Sequence, residues 1–306
     1  MRCHKFSQGI NVTNSREELS NSLDFDPRYV AARRVLLDEL TALAPYGKAF
    51  IVAGAQAIYM RTGLNEIAIA PYTTDGDLAL DPTLLGDDPK LETTMRTAGF
   101  ELMEIKANQL EPGIWTKTEK IDGKKLIIPV DLIVPEATIP NNPGRRGARL
   151  GVHGNHAARR AVGLEAVLID HDTMTISSLD PKDQRQIEVE VAGLAGLLIA
   201  KSHKIHDRIA SGRPNRLSDK DAADVFRIMQ ATSSNDIGAT LSQLRQTELA
   251  REVTETGIIY IEELFGQRAG EGINMARRAL RLAVPEARIT TLCLYFTAQL
   301  IQTVRG

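Results

Sequence analysis

Apolar residues near the start of the chain recur at helical spacing. Asp26-Pro27 can cap and begin a helix there, and Pro45-Tyr46-Gly47 can end it. The next apolar run, residues 49–53, is short and is followed by Gly54, which predicts a buried strand that turns tightly into a helix ending near Gly63. The apolar positions that predict the first helix are Val30, Ala31, Val35, Leu36, Leu40 and Leu43.

Alternation of apolar and polar residues predicts strands further along the chain. Residues 73–80 alternate and end at Asp81-Pro82, and a helix is expected over 89–98. Strands are also predicted at 101–105, 113–118, 125–134 (interrupted by Pro129), 165–168, 174–177 and 187–191. After Ala192 the pattern is helical, with helices predicted at 192–210, 217–232, 236–246, 248–265, 270–281 and 285–304.

These elements predict an α+β fold, in which a mixed sheet with flanking helices is followed by a C-terminal helical domain. We predict a first domain over residues 1–190 and a second over residues 191–306. Residues 1–25 are polar and aperiodic, so we expect them to be flexible.

The segment over residues 135–160 is rich in Pro, Gly, Asn and Arg, which predicts a long segment that is mobile or ordered by a ligand. Its arginines could hold an RNA backbone through phosphate contacts, and the alternative is a flexible, solvated loop. These arginines are Arg145, Arg146, Arg149, Arg159 and Arg160. The segment lacks interleaved aromatic residues for base stacking, so sequence-specific reading of RNA is not expected.

The overall charge of the chain does not attract polyanions, so a polyanionic partner would have to be held by a local patch. The 37 Lys and Arg residues against 39 Asp and Glu give a net charge of −2, so the chain has no overall attraction to nucleic acid or to an anionic membrane. The N-terminus lacks the apolar core of a signal peptide, and no apolar run approaches the roughly 18 residues of a membrane span. We therefore expect a cytoplasmic protein without a membrane partner.

Three aspartates carry the candidate chemistry. Asp75 and Asp77 project from one face of the predicted strand, ~7 Å apart along the backbone. Paired carboxylates repel each other unless a cation lies between them, and with phosphate oxygens they are ligands that Mg²⁺ prefers. Asp131 lies in the apolar run IIPVDLIVP, where a carboxylate is costly to bury unless it faces a polar cleft or a metal. The alternatives are an exposed turn or strand edge for the first two and a water-facing edge strand for Asp131.

The order of these residues resembles the DNA polymerase beta-type nucleotidyltransferase superfamily. The pattern of that superfamily is a glycine turn after the first strand, here VAGAQA at 52–57, then a D-x-D on the second strand and a third carboxylate. Downstream, LLIAK at 197–201, Asp207-Arg208 and KDAADV at 220–225 resemble later motifs of the AbiEii-type branch, which includes MenT-like toxins that add nucleotides to tRNA. The resemblance covers about residues 49–230. Ala55 replaces the usual second Gly or Ser, and Gly76 replaces the usual apolar residue.

The resemblance implies a nucleotidyltransferase-fold sheet and transfer of a nucleotide from an NTP to an acceptor hydroxyl, with Mg²⁺ or Mn²⁺ as cofactor. It ranks tRNA first as acceptor and implies a toxin with a cognate antitoxin as its protein partner. The catalytic residues it implies are Asp75, Asp77, Asp131 and Lys201, of which the three aspartates are also the metal ligands. The nucleotide-binding residues are Gly54, Ala55, Gln56, Thr74, Lys204 and Arg208, with Lys220, Asp221 and Asp224 in support from the helical domain.

Helical spacing places Lys201, Lys204 and Arg208 on one face, where they could neutralise a triphosphate or form an ordinary solvated face. Asp221 and Asp224 also share a face, and could position those cations or favour the helix N-terminus through its dipole. His203 and His206 have no third ligand at a matching spacing, so a metal site there is not expected.

Two further functions stay open. The acceptor could be a protein hydroxyl or a small molecule, and loss of charge at Arg145 and Arg146 would then leave transfer unchanged. The chain could also be a catalytically inactive nucleotide-binding scaffold of the same fold, an alternative that Ala55 and Gly76 keep open.

Overall fold

The computed structural model of the protein describes residues 25–63, 73–107, 109–140, 146–212 and 218–306. This part of the chain combines one mixed sheet with helices and ends in a helical region, which confirms the predicted α+β class. The predicted flexible segment lies outside the described residues except for Phe25, and so does Arg145.

The first predicted helix and strand are present. Helix α1 spans Pro27–Leu43, and the Asp26 carboxylate caps it by accepting a hydrogen bond from Arg28 N at 2.8 Å. A short 3₁₀ segment leads into strand β1 at Phe50–Val52. Helix α2 then spans Gly54–Thr62, with Gly63 as its C-cap.

The remaining elements of the sheet half agree with the alternation in most places. They are β2 at Gly76–Leu80, α3 at Leu91–Thr97, β3 at Glu101–Lys106, β4 at Gln109–Ile121, β5 at Lys124–Pro135, β6 at Gly147–Ala148, β7 at Ala158–Ala161, β8 at His171–Ser177 and β9 at Gln186–Ala192. Three predictions were wrong in detail. Strand β2 begins at Gly76, so Asp75 precedes it, because the Asp75 carbonyl accepts a hydrogen bond from the Gln56 side chain at 3.1 Å.

The other two differences have local causes. Strand β5 runs through Pro129 without a break: its antiparallel ladder with β4 includes Pro129, opposite Thr116, and its ladder with β2 begins only at residue 130. Residues 165–168 form turns instead of a strand, because their backbone groups bond locally, as from Val167 N to Leu164 O at 3.0 Å.

The sheet has the strand order β3-β4-β5-β2-β1-β9-β8, with β7 joined to β5 and β6 joined to β7. Strands β2 and β5 run parallel, as do β1 and β9, while β1 and β2 are antiparallel. Strand β5 therefore lies between β4 and β2 in the interior of the sheet. The edge-strand alternative for Asp131 is wrong.

In the part of the chain that the structure describes, six helices follow the sheet, close to the six predicted positions. They are α4 at Leu194–Ala210, α5 at Asp219–Ala231, α6 at Ser234–Leu244, α7 at Arg251–Phe265, α8 at Glu271–Leu280 and α9 at Glu286–Arg305. Helix α2 packs against α4 and α5, which joins the helical region to the glycine turn of the sheet. Within the described ranges, no helix is both long and apolar enough to cross a membrane.

Candidate active site

Two of the predicted carboxylates lie side by side. The parallel ladder between β2 and β5 pairs Asp77 with Asp131. Adjacent strands lie ~4.8 Å apart, and paired residues project from the same face of a sheet. Gly76 and Leu78 point to the opposite face, towards α1 and the core. The sheet therefore presents two neighbouring carboxylates on the face away from α1.

The glycine turn positions Asp77 directly. Gly54 has a φ of +62°, and a Cβ on this residue would overlap the Asp77 carboxylate. Next to it, Ala53 N donates a hydrogen bond of 2.8 Å to the Asp77 carbonyl. Glycine is required at position 54 both for its backbone conformation and for the space that Asp77 occupies.

Asp75 has different surroundings, because it lies at the edge of this face. Its side chain is 44% exposed, 3.9 Å from Lys220 Nζ. It also accepts a hydrogen bond from the Thr73 hydroxyl, which in turn accepts one from Lys220 Nζ at 2.7 Å. Burial by itself would raise the pKa of Asp75, but the charge of Lys220 and the Thr73 hydrogen bond outweigh it and lower that pKa.

Gln56 lies in the core although it was predicted to bind nucleotide. Its side chain is 1% exposed, accepts a hydrogen bond of 2.8 Å from Arg33 Nε and donates to the Asp75 carbonyl. Gln56 therefore holds the backbone that carries Asp75. Of its predicted companions, Ala55 is also buried and Thr74 is half-buried.

The electrostatic environments of Asp77 and Asp131 contrast. Burial raises the pKa of Asp77 to about 6, with a further increase from the charge of Asp75. Within the described residues, no hydrogen bond or ion pair reaches the Asp77 carboxylate. Asp131 Oδ2 instead accepts two hydrogen bonds from Arg159, at 2.7 Å from Nη2 and 3.2 Å from Nε. Sequence reasoning placed Arg159 in a possible RNA-binding segment and missed this ion pair.

A third acid lies behind the pair and was missed from the sequence. Glu39 of α1 is 0% exposed, and neither of its carboxylate oxygens has a hydrogen-bond partner among the described residues. Burial raises the pKa of Glu39 well above its ordinary value, with a further increase from Asp131 and Asp77. A Cβ on Gly76 would lie 3.7 Å from Glu39 Oε2, so residue 76 of β2 faces this side chain. Its position in the apolar stripe of α1, next to Leu40, was the available clue.

Across from the carboxylates, the helical region forms a cationic cluster around two acids. Lys201 Nζ lies 2.7 Å from both Asp221 Oδ1 and Asp224 Oδ2. Asp221 also pairs with Lys204 at 3.2 Å and with Arg208 at 2.6 Å. Lys201 is only 6% exposed, so the solvated-face alternative is wrong for it. Asp221 and Asp224 contact Lys201 directly, as one of the two predicted alternatives required.

The charges within this cluster compensate one another. Burial by itself would lower the pKa of Lys201, but the charges of Asp221 and Asp224 raise it well above the ordinary value. The pKa of Asp221 is lowered, because Lys201, Lys204 and Arg208 outweigh the effect of its burial. The Tyr59 hydroxyl donates to Asp224 at 3.3 Å and so links the cluster to the helix that follows Gly54.

Residues from both halves of the chain line one cleft of ≈ 400 Å³. Its lining includes Gly54, Asp77, Asp131, Arg146, Arg159, Arg160, Lys201, Lys204 and Arg208. Arg160 is paired with Glu136 at 2.8 Å, whereas Arg146 pairs with Glu111 and is 57% exposed at the rim. Arg149 is exposed and is not among the lining residues. Residues that are up to 154 positions apart in sequence, from Gly54 to Arg208, thus converge on one site.

The carboxylates fit a divalent cation in part. No group of three or more His, Cys, Asp or Glu residues suited to a metal occurs in the described ranges. Mg²⁺ needs only one or two carboxylates when phosphate oxygens and water complete its shell. Asp77 and Asp131 can supply such a pair, and an ion there would relieve the repulsion that raises the pKa of Asp77. The fit is therefore to a two-carboxylate site with Asp75 at its margin.

Comparisons of the chain with known protein families and with curated proteins find no match. The assignment of a function therefore depends on the geometry of the cleft and on the motif order.

Proposed function

We propose that the protein is a metal-dependent nucleotidyltransferase, which transfers a nucleotide from an NTP to an acceptor hydroxyl in this cleft. One observation carries the proposal. Asp77 and Asp131 are paired in register on adjacent parallel strands, beside the glycine turn, and line the same cleft as Lys201, Lys204 and Arg208. The motif order that resembles the DNA polymerase beta-type superfamily supports the same assignment.

The residues of the chain have distinct roles in this proposal. Asp77 and Asp131 would hold a divalent cation, which when bound polarises the phosphates and stabilises the charge that develops on them. Lys204 and Arg208 bind the triphosphate, since both line the cleft and remain partly exposed, at 38% and 27%. Lys201 acts through its neighbours, because it is buried and held by Asp221 and Asp224.

The bonds that form and break in the reaction balance without a further group from the chain. The acceptor oxygen attacks the α-phosphorus, the bond from that phosphorus to the bridging oxygen breaks, and pyrophosphate leaves. The proton of the acceptor hydroxyl passes to solvent water in this scheme, since Asp131 Oδ2 accepts the hydrogen bonds of Arg159 and Oδ1 is the oxygen left for the cation. Gly54 lets the phosphates approach the backbone N–H groups at the start of α2.

The acceptor is proposed to be tRNA, on the resemblance to the AbiEii-type branch. The exposed Arg146 at the rim of the cleft is consistent with contact to a phosphate backbone. The same branch motivates the proposal that the enzyme acts as a toxin under a cognate antitoxin. Transfer to a protein or to a small molecule is the alternative within the same chemistry.

The proposal is tested by transfer of label from each of the four α-³²P nucleoside triphosphates to total cellular RNA with Mg²⁺. We expect label in RNA of tRNA size, reduced at least about a hundredfold in Asp77→Asn, because several kcal/mol of charge stabilisation depend on the bound cation. Asp87→Asn is the matched control, since Asp87 is exposed and lies outside the cleft lining. Equal transfer by wild type and Asp77→Asn would refute the assignment of the site.

One observation favours a second candidate function, an inactive nucleotide-binding scaffold. Arg159 already neutralises Asp131, and Asp221 is surrounded by three cations, so much of the charge in the cleft is compensated internally. A scaffold of this kind would bind NTP without releasing pyrophosphate. Measurement of both quantities on the same sample separates the two functions.

A further inference from the structure

Arg159 is a charged group of the cleft, on its strand side, that has no role in the proposed mechanism. It lies on β7, which pairs with β5 so that Arg159 is opposite Ile133. Residues 131 and 133 project from the same face of β5, because side chains alternate along a strand. The guanidinium therefore reaches Asp131 along the face that lines the cleft.

In this ion pair, Arg159 contacts one of the two carboxylate oxygens of Asp131. Both hydrogen bonds from Arg159, at 2.7 and 3.2 Å, end on Oδ2, so the pair is not the two-oxygen fork that binds most strongly. Each side chain is 19% exposed, so solvent reaches the pair. An arrangement of this kind can be opened by a stronger competitor for the carboxylate.

Asp77, which lies next to this pair, is the reason why a cation would compete with Arg159 for Asp131. Asp77 lies beside Asp131 in the parallel ladder and has no hydrogen-bonding or ion-pair partner among the described residues. Asp77 and Asp131 are neighbours across the ~4.8 Å spacing between strands, so both would hold the same divalent cation. A cation there and the Arg159 guanidinium then compete for the negative charge of the same carboxylate.

We propose that Arg159 is an internal counter-ion for Asp131, which competes for the charge of that carboxylate with a divalent cation that Asp77 and Asp131 would hold. This inference rests on the proposed metal-dependent function. Arg159 neutralises Asp131 when no metal is bound and thereby lowers the affinity of the site for metal. Its guanidinium lines the cleft that also contains Lys204 and Arg208.

The test is the affinity of the full chain for Mn²⁺ alone, measured by electron paramagnetic resonance of the free ion. We expect Arg159→Gln to bind Mn²⁺ about tenfold more tightly than wild type, because the competing charge-assisted hydrogen bonds are gone. Arg160→Gln is the matched control, since it removes the same charge from the next residue of the same strand, where the partner is Glu136. We expect less than about a threefold change in that control, because Asp131 keeps its partner Arg159.

A second pair of variants ties the effect to Asp131. In an Asp131→Asn background, Arg159→Gln should no longer tighten Mn²⁺ binding, because the shared carboxylate is absent. Persistence of the tightening there, or an equal effect of Arg160→Gln, would overturn the inference in favour of general electrostatics. Weaker binding in Arg159→Gln would also overturn it, since Arg159 would then be needed to position Asp131.

The experiment distinguishes a failure of the counter-ion role from a failure of the metal-dependent function. If wild type binds Mn²⁺ and Arg159→Gln binds it equally, only the counter-ion role is lost. If neither wild type nor Arg159→Gln binds Mn²⁺, the metal-dependent function is lost and the counter-ion role with it. Circular dichroism of each variant confirms that it is folded before binding is measured.

Discussion

Charges are compensated on the helical side of the cleft and only partly compensated on the sheet side. On the helical side, Lys201, Lys204 and Arg208 surround Asp221, and Lys201 also pairs with Asp224. On the sheet side, Asp77 and Asp131 lie next to each other, and Arg159 is paired with only the second. The pKa of Lys201 is raised by its partners, whereas that of Asp77 is raised by burial and like charge.

This difference separates a structural charge cluster from a candidate reactive one. Buried groups whose charges are matched hold a fold in one arrangement, although the pairing only partly offsets their desolvation. Carboxylates left uncompensated are destabilising in the absence of a ligand, and such perturbed groups concentrate at functional sites. Glu39, which is buried behind the pair without a partner among the described residues, adds to the sheet side of this contrast.

The largest expected effect comes from breaking the matched cluster. Lys201→Met leaves Asp224 buried without its cation, and we expect it to lower the free energy of unfolding by about 3–5 kcal/mol. Urea unfolding measures this loss. Lys204→Met is the control, since Lys204 is 38% exposed and its loss should cost at most about 1 kcal/mol. Equal losses in the two variants would show that Lys201 is not the organising cation.

A smaller effect is expected from crowding the sheet side. Gly54→Ala adds a Cβ that overlaps the Asp77 carboxylate and also strains a backbone at φ +62°. We expect a loss of about 2–4 kcal/mol in the free energy of unfolding, from both causes together. Gly99→Ala isolates the backbone cost, because Gly99 has a φ of +82° and no heavy atom within 4 Å of the added Cβ among the described residues. If Gly99→Ala lowers the free energy of unfolding as much as Gly54→Ala does, the close approach to Asp77 does not contribute to the loss.

The smallest effect concerns the pH dependence of stability. The pKa of Asp77 is raised to about 6 in the folded protein, so its contribution to stability is present at low pH and is lost as pH rises from about 4 through about 6. Asp77→Asn removes this pH-dependent loss of stability, because asparagine does not ionise. We expect the variant to match wild type near pH 4 and to exceed it by on the order of 2 kcal/mol at pH 7.5.

Urea unfolding of both proteins across this pH range checks the sign. Asp87→Asn should show no such trend, since Asp87 is exposed. A difference between Asp77→Asn and wild type that stays constant from pH 4 to 7.5 would contradict the raised pKa and weaken the contrast between the two sides.

Local pattern explains why the helices and most strands were predictable. The stripe from Val30 to Leu43 predicted α1, and the alternation after position 73 predicted β2, because both periodicities follow from backbone geometry alone. Strand β7 was missed, since its four residues pair with β5 across more than twenty intervening residues and carry two arginines. Strand β7 forms because it pairs with β5, and β5 lies outside any short stretch of sequence around β7.

The same distinction applies to the site. The residue types and their order were enough to name Asp77, Asp131, Lys201 and Arg208 as candidates, and all four line one cleft. The sequence did not indicate what each of them contacts. Gln56 was predicted to bind nucleotide, yet it holds the Asp75 backbone from the core, because the rotation of α2 turns it inwards.

Short-range periodicity and residue chemistry were enough to predict the α+β class, the positions of the helices and the candidate charged residues. Three contacts became visible only in the folded chain: Arg159 pairs with Asp131, Lys201 is enclosed by two acids, and Glu39 lies behind the sheet without a partner among the described residues. Each of these contacts depends on strand register or helix rotation, and neither is encoded in any single segment of the chain.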